Sequence, residues 1–100
     1  MKRFILSPEA ERDLDVIKDH LLREASPKVA RHVLRELRSA IRFLAANPHS
    51  GHLRADLTSK PVYFWGVFSY LVVYSAERQS PLQVVRVLHG ARNVARVLES

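Results

Sequence analysis

Residues 27–46 read PKVARHVLRELRSAIRFLAA, and this stretch carries the strongest helical pattern in the chain. At 100° per residue its apolar side chains fall on one stripe of a helix. The members of that stripe are Val33, Leu37, Ala40, Ile41 and Leu44. Basic side chains at spacings of three and four fall on the opposite side, namely Lys28, Arg31, Arg35, Arg38 and Arg42. The pattern predicts an amphipathic helix with a buried apolar face and a row of cations facing outward.

A helix is also predicted before this one, and both share the same start signal. The dipeptides at 7–8 and 26–27 are each Ser-Pro. The serine can cap the helix, and a proline at the first helical position loses no hydrogen bond. Apolar residues recur at spacings of three and four across residues 10–25, which predicts a helix from residue 8 to about residue 25. The two helices are therefore expected to form a hairpin.

The rest of the chain is strand-like, apart from a polar loop at residues 47–60. Two strands at 62–65 and 68–76 are predicted to flank a hairpin link at Gly66-Val67. The remaining elements are a strand at residues 2–6, a last strand at 82–89 and a short helix at 93–98. This order predicts an α+β fold in which the helix hairpin packs on a mostly antiparallel four-stranded sheet. We expect one domain over residues 1–100, since the chain has only 100 residues.

The strand at 68–76 is apolar on both faces, which is typical of a central strand. Alternation places Phe68, Tyr70, Val72 and Tyr74 on one side, and Leu71 and Val73 on the other. The helix hairpin can cover only one of these faces. Two possibilities are open for the other face: the short C-terminal helix covers it, or an apolar surface is left for a partner.

The composition is that of a globular protein, with 47% hydrophobic residues and only 3 Gly and 5 Pro. The chain has no cysteine, which excludes disulfides, thiol nucleophiles and thiolate metal sites. The apolar segment after Lys2 and Arg3 is too short for a signal peptide, and no apolar run is long enough to span a membrane. We expect a cytoplasmic protein without a membrane partner.

The net charge is +6, and it is unevenly distributed. Residues 9–24 hold six acids against three bases, whereas residues 25–100 hold four acids against eleven bases. A basic body favours an anionic partner, such as nucleic acid, an acidic protein tail or a membrane surface. The row on the second helix is either a solvated outer face or a docking ridge for an acidic partner.

Few residues offer catalytic chemistry. No glycine-rich phosphate loop is present, and His49, His52 and Asp56 are expected to form a solvated loop, so no metal and no cofactor are predicted. One cluster of chemically capable residues lies near the end of the chain: Arg86, His89, Arg92 and Arg96. A histidine flanked by arginines can act as a general acid in metal-free RNA cleavage. The alternative is an ordinary histidine at a strand end.

Four segments together resemble the RelE/ParE superfamily of type II toxins. They are LSPEAERDL at 6–14, ANPHSG at 46–51, YLVVY at 70–74 and VLHGAR at 87–92, in the family's order. The proline and glycine of the second segment and the Leu-His-Gly-X-Arg of the last are most similar to the ParE branch. The elements that carry the resemblance run over nearly the whole chain.

The resemblance implies the toxin of a toxin–antitoxin system, of the kind associated with plasmid stabilization. ParE toxins inhibit DNA gyrase and block replication, and they are neutralised by a cognate antitoxin, often ParD-like, with an acidic tail. A toxin–antitoxin heterotetramer or larger assembly is then expected. RelE relatives are instead ribosome-dependent mRNA endoribonucleases. The two activities are alternatives: a protein-binding inhibitor, which is no enzyme, or a metal-independent ribonuclease.

The family's ribonucleases carry lysine and arginine on the central strands. Here the matching positions hold Val62, Tyr63, Phe64 and Leu71, so their phosphate clamp is missing. His89 and Arg92, with Arg86, are the catalytic residues of the alternative interpretation only. Sequence-specific binding to nucleic acid is not expected, because the aromatic residues alternate with aliphatic ones.

An apolar, aromatic pair of strands suits contact with another protein. Two sets of binding residues are therefore predicted, one for the target and one for the antitoxin. Target-binding residues are predicted to be Trp65, Phe68, Tyr70, His89 and Arg92. The antitoxin is predicted to contact either the cationic row, at Arg31, Arg35, Arg38 and Arg42, or the strand at 61–65, at Val62 and Phe64.

Overall fold

The computed structural model describes residues 3–90 and 93–99. Its elements, in chain order, are β1 (Phe4–Leu6), α1 (Pro8–Glu24), α2 (Pro27–Ala46), β2 (Tyr63–Val67), β3 (Tyr70–Ser75), β4 (Leu82–His89) and α3 (Val94–Glu99). The strands form one sheet in the order β1-β4-β3-β2. β1 runs parallel to β4, and the other two pairs are antiparallel. The predicted α+β fold is confirmed.

Both long helices begin as their sequences predict. The Ser7 side chain accepts a hydrogen bond from the Ala10 backbone N–H at 2.9 Å. The Ser26 side chain accepts one from Val29 at 3.2 Å. Each serine satisfies an amide that has no partner within its helix, and the proline that follows begins the helix at no cost. The chain therefore turns sharply between α1 and α2, and both helices lie on one face of the sheet.

The larger core cluster lies between the helix hairpin and the sheet. Both helices contribute to it from the residues that recur at spacings of three and four, as predicted. Its most buried members are Ala10, Leu37, Ile41, Leu44, Val72, Tyr74, Val84 and Val87. β3 contributes Val72 and Tyr74 to this side and lies between β2 and β4, which confirms its central place.

The other face of the sheet is covered by the C-terminal helix. Val94 and Leu98 of α3 are buried with Phe64, Val73 and Leu88 in a second cluster. The Lys60 ammonium also donates a hydrogen bond to the Leu98 carbonyl, a favourable place for a cation at the end of a helix. Of the two possibilities for this face, the first is therefore the observed one. Among the described residues, α3 thus covers β2, β3 and β4 on this side at Phe64, Val73 and Leu88.

The β2–β3 hairpin turns two residues later than predicted. Gly66 lies within β2 and pairs with Leu71, and the loop consists of Phe68 and Ser69. This register places Phe64 opposite Val73, so two buried apolar side chains face each other across the strands. The backbone of Phe68 has φ 54°, a region that bulky residues rarely adopt. The pairing of apolar residues along the two strands therefore sets the position of the turn. It overrides the local preference for a turn at Gly66.

The ANPHSG segment after α2 is fixed to β3 by one buried side chain. The Tyr74 hydroxyl donates to the Pro48 carbonyl and accepts from the Gly51 N–H, each at 2.9 Å. A Cβ at residue 51 would collide with the Tyr74 ring and hydroxyl, so only glycine fits. Burial raises the pKa of the Tyr74 hydroxyl above its ordinary value of 10.0, although the bond from Gly51 opposes the shift.

Candidate functional site

Beyond the end of β1, β4 has no neighbouring strand on that side, and the start of α1 covers this edge. β1 pairs only with Leu82 to Val84. Beyond that point Ser7 binds the Val84 and Val85 carbonyls through its N–H and its hydroxyl, at 2.9 and 2.7 Å. The Asp13 carboxylate then accepts the Val87 N–H at 2.9 Å. The start of α1 thus satisfies strand groups that have no neighbouring strand.

The same carboxylate binds Arg86. Oδ2 of Asp13 accepts from Nε of Arg86 at 2.8 Å, and Oδ1 accepts from Nη2 at 2.9 Å. The two side chains are only 10% and 23% exposed, respectively. The hydrogen bonds that Arg86 donates to Asp13 raise the pKa of Arg86, against the opposing effect of burial. Two donors of the guanidinium are thereby committed to a structural pair.

Asp13 is not among the residues that the sequence analysis singles out. A signal was present nevertheless. Asp13 lies three residues after Ala10 and four before Ile17, which is the spacing of the buried stripe. An acid at a buried position needs a cationic or N–H partner, so this spacing indicates a structural carboxylate.

His89 lies apart from Arg86, although both belong to β4. Its ring stands edge-on to Tyr70, with centroids 5.3 Å apart, in a cleft of about 210 Å³ between α1 and the sheet. Val16, Ile17, His20 and Val87 also line this cleft, whereas Arg86 does not. Burial raises the pKa of Tyr70. Arg92 lies outside the described residues, and of the described target-binding residues the structure brings His89 and Tyr70 together in this cleft.

The cationic row of α2 is exposed, as predicted. We call Arg31, Arg35, Arg38 and Arg42 the arginine ridge; these four residues line a shallow groove with the half-buried Leu34. Across residues 3–90 and 93–99, the ion pairs are Arg54–Asp56 and Arg86–Asp13, so no carboxylate neutralises the ridge. Nη2 of Arg35 lies 3.4 Å from Nδ1 of His32, and Nη2 of Arg42 donates to Ser39 at 3.2 Å.

Aromatic side chains connect α2 to the β2–β3 hairpin. The rings of Phe43 and Trp65 lie 5.6 Å apart, and those of His32 and Phe68 lie 5.8 Å apart. Phe43 is 45% exposed and Phe68 64% exposed, and Trp65 is half-buried. We call these four residues the aromatic strip. The strip therefore spans α2 and the hairpin, and its His32 lies beside Arg35 of the arginine ridge.

The predicted binding residues therefore fall into separate groups. Trp65 and Phe68 belong to the aromatic strip, whereas Tyr70 is buried beside His89 in the cleft. Val62 and Phe64 are buried in the second core cluster, with 8% and 3% exposure. The backbone of Phe64 is paired with His52 through two hydrogen bonds of 2.7 and 3.0 Å. These two side chains offer no free surface, because α3 and the loop after α2 cover them.

The loop that carries His49 and His52 also contains an ion pair. Arg54 binds the Asp56 carboxylate at 2.7 and 2.9 Å and lowers its pKa. In the part of the chain that the structure describes, no group of three or more His, Cys, Asp or Glu residues is arranged to hold a metal. None of the described helices is long and apolar enough to cross a bilayer.

Known proteins resemble this chain over nearly its whole length. The family model of the ParE toxin of the type II toxin–antitoxin system, parDE, matches residues 4–94. Toxin ParE1 of Mycobacterium tuberculosis is 36% identical over 97 residues, covering 96% of this chain and 97% of the relative, with the same figures in strains CDC 1551/Oshkosh and ATCC 25618/H37Rv. A solved chain of a chromosomal ParDE system from P. aeruginosa has a TM-score of 0.72 at 19% identity, covering 89% of this chain and 96% of that one. The last comparison supports the fold alone.

Proposed function

Because this chain belongs to the ParE toxin family of type II toxin–antitoxin systems, we propose that it inhibits DNA gyrase, blocks replication and is neutralised by a cognate ParD-like antitoxin. Its action then consists of holding another protein, and no bond is broken by the toxin itself. We further propose that the toxin and antitoxin meet in the cytoplasm and form a heterotetramer or a larger assembly.

The observation that carries the proposal is the lack of free cations on the sheet. The described strands β2 and β3 contain no lysine or arginine, and the guanidinium of Arg86 on β4 is bound by Asp13. Metal-free cleavage of RNA depends on preorganised positive charge around the phosphate, and the loss of one such donor typically costs about 10²–10³ in rate. These strands favour contact with a protein over cleavage of RNA.

The unneutralised arginine ridge supports the antitoxin part of the proposal. Four exposed arginines at spacings of four, three and four repel one another, and an acidic segment would relieve that repulsion. Opposite charge would also raise the rate of association. A disordered acidic tail that folds on the toxin fits such a surface.

A paired assay tests the proposal. Purified toxin is added to gyrase with supercoiled and relaxed DNA, and separately to ribosomes that translate a defined mRNA whose 5′ ends are mapped. We expect loss of supercoiling and accumulation of cleaved DNA, with no new mRNA ends. Trp65→Ala should weaken the effect on gyrase, whereas Leu53→Ala is the control, since Leu53 is an exposed loop residue outside both surfaces. Cut messages with normal supercoiling would overturn the proposal in favour of a RelE-like ribonuclease.

A further inference from the structure

We propose that the arginine ridge and the aromatic strip form one composite docking surface for an acidic, amphipathic protein segment. The apolar side chains of that segment would lie on Phe43, Trp65 and Phe68, while its carboxylates pair with Arg35, Arg38 and Arg42. The inference rests on the antitoxin part of the proposed function and deepens it by stating the chemistry of the segment that binds. It differs from the sequence-based prediction because it joins the arginines assigned there to the antitoxin with Trp65 and Phe68, which were assigned there to the target.

The two sets are neighbours: the ridge lies on α2, and the strip lies between α2 and the β2–β3 hairpin. With 3.6 residues per turn, His32 lies about 60° around the axis of α2 from Arg35, and Phe43 lies about 100° from Arg42. Direct contacts connect them: Arg35 lies 3.4 Å from His32, and the His32 ring lies 5.8 Å from that of Phe68. The surface therefore runs without interruption from the ridge to the β2–β3 turn.

Charge complementarity favours an acidic occupant. None of the ridge arginines has a carboxylate partner among the described residues. Leu34 lies among them as a half-buried apolar floor, so the groove is suited to carboxylates that extend from an otherwise apolar face. A purely polar partner would leave the apolar rings of the strip uncovered.

Phe68 supplies a second, independent observation. Its side chain is 64% exposed, and its backbone has a φ of 54° that bulky residues rarely adopt. Residues held in such conformations are concentrated at functional sites. A large aromatic residue kept exposed at this turn is consistent with a side chain that serves in recognition.

The neighbouring helix favours a polypeptide over nucleic acid. A helical segment is about 10–12 Å across and fits along one side of α2. A duplex would also bring its phosphates over α1, where residues 9–24 hold six acids against three bases. The acids of α1 would repel the phosphates of a duplex. The surface therefore favours a narrow helical segment.

Trp65 makes the surface directly observable, since it is the only tryptophan in the chain. The probe is a tryptophan-free helical peptide of about 18 residues, with a row of glutamates beside a row of leucines. Titration of the free toxin should change Trp65 emission and give a saturable binding curve that weakens as salt rises. Two control peptides replace the glutamates by lysine, or the leucines by serine, and neither should bind.

Toxin variants locate the site. The double variant Arg35→Glu, Arg42→Glu should weaken binding by about tenfold or more, because it places like charges together. The matched control Arg12→Glu, Arg23→Glu makes the same change in net charge on α1, at two exposed positions, and should bind as the parent does. Phe43→Ala should also weaken binding, while Leu53→Ala should not. Circular dichroism shows whether each variant is folded. If the α2 double variant does not fold, Phe43→Ala still tests the site, with Leu53→Ala as its control.

Three outcomes would overturn the inference: no binding of the peptide, equal binding by the two charge-reversed double variants, or tighter binding of duplex DNA than of the peptide at the same salt concentration. These outcomes are separate from the gyrase assay. Toxin that arrests gyrase but does not bind the peptide refutes the docking surface alone, and toxin that binds the peptide but spares gyrase refutes only the gyrase proposal.

Discussion

The carboxylate of Asp13 on α1 binds Arg86 and the Val87 N–H of β4 at the same time, across 73 and 74 positions of sequence. One buried side chain thus neutralises the cation of the last strand and satisfies a strand edge that β1 leaves unpaired. Both side chains are mostly buried, so loss of either one would leave the other charge uncompensated. Breaking this pair therefore costs more than breaking an exposed ion pair. The pair fixes the first helix against the strand that ends in His89.

Removal of this carboxylate is expected to destabilise the fold. Asp13→Ala leaves a partly buried guanidinium and a strand N–H without acceptors, and we expect a loss of about 3 kcal/mol in the free energy of unfolding. Urea denaturation measures the loss. Asp19→Ala, on the exposed side of the same helix, should change stability little. The double variant Asp13→Ala, Arg86→Met should recover part of the loss; no recovery would refute a coupled pair.

The fit between Gly51 and Tyr74 predicts opposite results at two glycines. Gly51→Ala forces a methyl group into the buried Tyr74 ring, and overpacking of this kind costs about 1–3 kcal/mol. Gly66→Ala is the control, since a Cβ there meets nothing within 4 Å, and alanine suits a strand at least as well as glycine does. Thermal denaturation should rank Gly51→Ala well below the parent protein and Gly66→Ala close to it. Equal melting temperatures would contradict the described packing.

Buried tyrosines predict a loss of stability in alkali. Burial raises the pKa of Tyr74 and Tyr70 above the ordinary value of 10.0. The unfolded chain then loses these protons first, so the stabilisation is complete below about pH 10 and is lost as the pH rises through the folded-state values. Tyr74→Phe should flatten the fall in unfolding free energy above pH 10, although it also lowers stability at neutral pH. An equally steep fall in the variant would exclude Tyr74 as a cause.

Strain at the β2–β3 turn predicts a variant that separates stability from binding. Phe68→Asn places a residue that tolerates positive φ at the strained position, while it loses the ring contact with His32. We expect the free energy of unfolding to stay level or to rise by up to about 1 kcal/mol. Binding of the acidic peptide should nevertheless weaken. If stability falls by more than the ring contact explains, the turn is not strained.

The helices and the order of the elements follow from local chemistry, which is why the sequence predicts them. The serine and proline at 7–8 and 26–27 act on neighbouring amides, and the apolar stripe of α2 is a property of one helix alone. The position of the β2–β3 turn, in contrast, does not follow from local sequence. It depends on the pairing of Phe64 with Val73, which is set by burial in the whole sheet. Sequence reasoning there gave weight to glycine at 66, which lies inside the strand.

The candidate site shows the same division. The arginine ridge is predictable because its members lie on one helix, and the structure finds them exposed. The assignments of Val62 and Phe64 could not anticipate that α3 and the loop bury those side chains. Similarly, Arg86 and His89 are three residues apart on one strand, but the partner of Arg86 is 73 positions away. Contacts of this range depend on the whole fold.

The parallel pairing of β1 with β4 has a consequence for biosynthesis. Phe4, the first residue of β1, lies opposite Leu82, so the sheet closes only when nearly the whole polypeptide is available. A nascent chain that has emerged only as far as β3 lacks both the central neighbour of β1 and the partner of Asp13. The sheet is therefore incomplete until β4 has left the ribosome, so the fold forms only late in the synthesis of the chain.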